Sequence, residues 1–107
     1  QEYDKALKLY DDVSTNISLL EVSALSGMAA CYEAKGNFSD AAKYFEKAGK
    51  KNSADPNAAE NLYHAARNYT KSGNKERAVE LYKSVQKEYP ASTVAREADR
   101  FLSELNG

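Results

Sequence analysis

The sequence predicts an all-α fold in which six antiparallel helices stack as repeated pairs. Three observations predict it. A pattern occurs twice: Tyr32, Gly36, Ala41, Phe45 and Ala48 recur as Tyr69, Gly73, Ala78, Tyr82 and Val85, with a constant offset of 37 residues. Self-similarity at a period of about 20–50 residues marks a stacked repeat protein. Apolar residues also recur at helical spacing between short polar breaks, and no segment alternates apolar and polar residues for long enough to be a strand. Such a stack presents an extended surface to a partner rather than a closed pocket for chemistry.

The first helix is expected over about Glu2 to Thr15, with Tyr3, Ala6, Leu7, Tyr10 and Val13 on one stripe. Ser18 and Glu21 have the spacing of a capping box, flanked by Ile17 and Val22 as a hydrophobic staple. The second helix then runs to about Lys35, with Leu25, Met28, Ala29 and Tyr32 inward. Gly36 follows its last turn, where a left-handed residue is wanted. Asn37 is placed to cap the third helix, which carries Phe38, Ala41, Ala42, Phe45 and Ala48 on one face. Gly49, Asn52 and Ser53 read as the next break.

Asp55-Pro56 reads as a restart, an acidic N-cap followed by Pro at the first helical position. The fourth helix carries Leu62, Ala65, Ala66 and Tyr69 up to Gly73. Asn74 caps the fifth, with Ala78, Val79, Tyr82 and Val85 inward, and Tyr89-Pro90 stops it. Ser92 opens the sixth, whose apolar face is Val94, Ala95, Ala98, Phe101, Leu102 and Leu105.

Composition excludes several functions. Fifteen basic and 16 acidic side chains leave a net charge of −1, so nucleic acid, which needs a basic surface, is not the expected partner. No apolar stretch is long enough to cross a membrane. His64 is the only histidine and Cys31 the only cysteine. Neither has the partners at defined spacing that a metal site or an acid–base triad requires, so no enzyme, metal or cofactor is expected. Cys31 is read as a buried, inert thiol. Gln1 stands inside a helical pattern, and the chain is read as a piece of a larger protein. The compartment stays open, with any membrane anchor in segments outside these residues.

The doubled pattern resembles the tetratricopeptide repeat. In register are Tyr32, Gly36, Ala41, Phe45 and Ala48 in one copy, and Leu62, Ala66, Tyr69, Gly73, Ala78, Tyr82, Val85 and Pro90 in the other. Leu25 stands where the family prefers Trp. The resemblance implies a right-handed α-α superhelix forming a single domain over 1–107. Residues 1–16 would be helix B of a truncated preceding repeat, 18–54 the first repeat, 55–90 the second and 91–107 a capping helix. The period of 37 residues exceeds the family's ~34, so the Asn52-Ser53-Ala54 junction is read as a small insertion. The stretch around Tyr89-Pro90 also resembles repeats of bacterial cell-envelope scaffolds.

The resemblance implies a non-catalytic scaffold that holds a peptide or helix of a partner protein on its concave face, which helices A line. The expected binding residues are Ser23, Ser26, Gly27 and Ala30 on the second helix, and Tyr63, His64, Arg67 and Lys71 on the fourth. The first set is small and lets a backbone approach. In the second set Arg67 and Lys71 would meet an acidic group, since Arg grips a carboxylate with parallel hydrogen bonds. The family's clamp for C-terminal carboxylates needs Lys and Asn where this chain has Ser26, Ala30, Tyr63 and Arg67, and is not implied. The alternative is a self-association module of an envelope scaffold, with Leu7, Leu9 and Tyr10 of the first helix forming homo-oligomer contacts.

Overall fold

The computed structural model describes residues 2–5 and 18–106. Residues 2–5 are helical. Most of the expected first helix, including Leu7, Leu9 and Tyr10, lies outside the described residues, as does the side chain of Ser18 and with it the Ser18–Glu21 box. Five helices follow: α1 (Ser18–Ala34), α2 (Phe38–Lys51), α3 (Ala58–Lys71), α4 (Lys75–Glu88) and α5 (Thr93–Asn106). No strand occurs among the described residues. Each helix packs on the next, and α3 also touches α5, so the stack is an all-α helical repeat.

The two tight corners are built alike. Gly36 and Gly73 have φ of 80° and 90°, a region that L side chains rarely enter. Asn37 N–H donates to the Tyr32 carbonyl and Asn74 N–H to the Tyr69 carbonyl, both at 2.8 Å. Gly36 and Gly73 N–H donate to Glu33 and Thr70 carbonyls. These are paired 6→1 and 5→2 bonds, a Schellman motif at the end of α1 and again at the end of α3. The repeat in sequence is thus a repeat of hydrogen bonds.

Helix starts follow the sequence less closely. Asn74 caps α4 by accepting from Arg77 N–H, and the Ser92 hydroxyl accepts from Ala95 N–H at the head of α5. Asn37 holds the N-cap position of α2 but its side chain makes no cap bond. Asp55 does not cap α3, which begins at Ala58 rather than at Pro56. Its Oδ1 accepts from Asn57 N–H at 2.8 Å and its carbonyl accepts from Ala58 N–H. The side chain thus closes a turn ahead of the helix, as Asp does in loops.

Gly49 is a second correction. It lies inside α2, not in a break. A Cβ there would sit 2.6 Å from Leu62 Cδ2, so the missing side chain lets α2 and α3 cross closely. Alanines do the same elsewhere: Ala29, Ala41, Ala42, Ala65, Ala66, Ala78 and Ala98 are fully buried. Between these crossings Phe45, Leu62, Tyr69, Leu81, Tyr82 and Val85 fill the core, each fully buried apolar side chain stabilising by about 1.5–3 kcal/mol.

One polar hub braces the outer side. Glu46 of α2 accepts from the Tyr69 hydroxyl of α3 at 2.7 Å, from Lys50 and from the Arg77 guanidinium of α4. A single half-buried carboxylate thereby joins three helices. Cys31 is half-buried rather than buried, and is unpaired.

Candidate functional site

Helices α1 and α3 lie side by side and meet through polar side chains. The Ser26 hydroxyl donates to Asn61 Oδ1 at 3.0 Å. Asn68 Nδ2 donates to Glu33 Oε2 at 3.3 Å and to the His64 carbonyl at 2.9 Å. Ser26 and Glu33 stand seven residues apart on α1, as do Asn61 and Asn68 on α3, so each pair shares one helical stripe.

Above this seam lies an open groove of about 500 Å³, lined among others by Ser23, Ser26, Ala30 and Glu33 of α1 and by Glu60, Asn61 and His64 of α3. Four of the eight expected binding residues therefore come together: Ser23, Ser26, Ala30 and His64. Arg67 joins them at the rim, its Nη1 lying 3.4 Å from His64 Nδ1.

The other three are placed apart. Gly27 is exposed on α1 and does not line the groove. Tyr63 turns toward α5, its ring 6.0 Å from both Tyr82 and Phe101. The Lys71 ammonium lies over the Phe38 ring, 5.2 Å from its centroid. This ammonium–ring contact is made with the start of α2, and Lys71 does not line the groove.

His64 sits against the Phe45 ring at 5.2 Å. Burial pushes its pKa below the ordinary value and the Arg67 guanidinium adds to this, while the carboxylates of Glu60 and Glu33 act the other way. The imidazole is therefore neutral at physiological pH. Arg is only a donor, so Nδ1 accepts and the proton sits on Nε2. The groove wall thus offers one N–H donor, two carboxylates and small hydroxyl or methyl side chains.

Asn61 and Asn68 were not singled out from the sequence. Asn61 is 5% exposed and Asn68 fully buried. An amide inside a helix reads as surface, and only the seven-residue spacing shared with Ser26 and Glu33 marks it otherwise. No group of three or more metal-ligating side chains occurs among the described residues, and no described helix is long and apolar enough to cross a membrane.

Comparison with known proteins agrees with the doubled pattern. A family model described as tetratricopeptide repeat matches residues 32–98, from Tyr32 at the end of α1 into α5. No curated protein matches the chain.

Proposed function

The chain belongs to the tetratricopeptide repeat family, whose repeats generally mediate protein–protein interaction, and on that premise we propose that it holds a segment of a partner protein in the groove between α1 and α3. One observation carries the reading: Ser23, Ser26 and Ala30 of one repeat and His64 of the next line the same groove. Small side chains on the α1 wall let a polypeptide backbone come close. The α3 wall adds aromatic and polar contact, with Arg67 at the rim. Tyr63, Gly27 and Lys71 flank this contact rather than form it. The family is typically a non-catalytic scaffold.

A random peptide display library selected on this chain tests the reading. Enriched peptides should lose binding to an Ala30→Tyr variant, whose ring fills the groove. They should keep binding to Lys83→Glu, an exposed change on α4. Peptides indifferent to Ala30→Tyr would overturn the assignment.

A further inference from the structure

The groove floor holds an unsatisfied donor. Asn61 is 5% exposed, lines the groove, and its Nδ2 has no hydrogen-bond partner among the described residues. Its Oδ1 is already engaged by the Ser26 hydroxyl. A buried donor without an acceptor is unfavourable, and a ligand that supplies the acceptor gains by relieving it.

The charge of the lining is one-sided. Glu33 and Glu60 are its carboxylates, and no Lys or Arg lines it. Glu33 is held in place by Asn68 Nδ2. The Arg67 guanidinium is turned to the His64 imidazole at the rim. A ligand complementary to this surface carries positive charge.

The donor also selects the ligand's backbone. Within a helix every interior carbonyl is already bonded to an N–H four residues on. An extended segment offers Asn61 free main-chain carbonyls along its whole length, whereas a helix frees them only in its last turn. The small side chains of Ser23, Ser26 and Ala30 leave room for such a backbone.

We propose that the groove takes an extended, basic segment of a partner protein, with one main-chain carbonyl accepting from Asn61 Nδ2 and a Lys or Arg side chain reaching Glu33 and Glu60. This rests on the groove reading above and replaces the acidic ligand expected from Arg67 and Lys71, since neither cation lines the groove.

The library selection decides it. Peptides enriched on the native chain should share a Lys or Arg at one fixed position. Their affinity should fall about tenfold or more with Glu60→Gln, and further with Glu33→Gln added, because a charge pair is lost at each step. Glu60 is exposed, so its variant keeps the fold and the test stands even if the double variant does not. Asn61→Asp sharpens it: the change adds negative charge yet removes the donor, and should weaken binding. Peptides that are blocked by Ala30→Tyr but lack a cation or ignore the carboxylate variants overturn the basic segment and leave the groove standing, and peptides that bind tighter to Asn61→Asp overturn the carbonyl contact with Asn61. Peptides insensitive to Ala30→Tyr, or no enrichment at all, overturn both.

Discussion

The inner helices α1, α3 and α5 meet at two seams, and the two seams have opposite chemistry. Between α3 and α5 the contact is aromatic. Tyr82 of α4 reaches through to stack on Phe101 with centroids 5.5 Å apart, and Tyr63 meets both edge-on at 6.0 Å. Between α1 and α3 the contact is polar, made by Ser26, Asn61, Glu33 and Asn68. Asn61 Nδ2 and Asn68 Oδ1 remain unpartnered there among the described residues. The repeat frame is the same at both places, down to the Schellman corners. What differs is the chemistry of the contact. The aromatic seam leaves the Tyr82 hydroxyl unpartnered among the described residues, and the polar seam leaves two amide groups so. A buried polar group left unsatisfied gives up stability.

Truncation should separate the seams most strongly. Tyr82→Ala empties a fully buried aromatic site and should cost about 3–5 kcal/mol in unfolding free energy. Asn61→Ala removes one hydrogen bond together with an unsatisfied donor, and should cost only about 1 kcal/mol or less. Urea unfolding of the two variants measures this. Equal losses would mean that the polar seam is structural in the same sense as the aromatic one.

Glycines provide the next test, because they sit at a closed crossing and on an open helix. Gly49→Ala forces a Cβ against Leu62 at 2.6 Å and should destabilise by about 1–3 kcal/mol. Gly27 has no atom within 4 Å of an added Cβ. Alanine there should stabilise α1 by roughly 0.5–1 kcal/mol, by lowering backbone freedom in the unfolded chain. Opposite signs in thermal unfolding are the expected outcome.

These two glycines also show what was legible in the sequence. Gly36 and Gly73 were readable because a left-handed corner has few alternatives and because they recur in register. Gly49 was misread as punctuation: a glycine that breaks a helix and one that admits a neighbour look alike without the neighbour. Asp55-Pro56 misled in a related way, since an Asp that caps a helix and one that closes a turn use the same side-chain oxygen. The inward faces of α2 to α5 followed directly from helical spacing. The groove was half legible. Ser23, Ser26, Ala30 and His64 could be placed by helical register alone. Asn61 could be joined to them only by knowing how far α1 is shifted along α3. The contact of Lys71 with the Phe38 ring was hidden for the same reason, since register alone does not show which helix a long side chain meets.

The last prediction reads both seams in a single experiment, the dependence of stability on pH. His64 at the polar seam has its pKa lowered by burial and by Arg67. The folded state therefore holds the imidazole neutral while the unfolded chain protonates it near its ordinary value. Its contribution is present above about pH 6.5 and is lost as pH falls through the folded value. Tyr82 at the aromatic seam shifts the other way, burial raising its pKa from 10.0 to about 12, against a smaller opposing effect of the Thr70 hydroxyl. Its contribution is present below 10 and is lost as pH rises toward about 12. The polar seam should therefore soften in acid and the aromatic seam in alkali. His64→Gln should flatten the thermal-unfolding midpoint on the acid side alone, and Tyr82→Phe, which keeps the ring, on the alkaline side alone. A His64→Gln chain that still lost stability as steeply between neutral and mildly acidic pH would place the titrating group elsewhere and remove the imidazole from the polar seam's account.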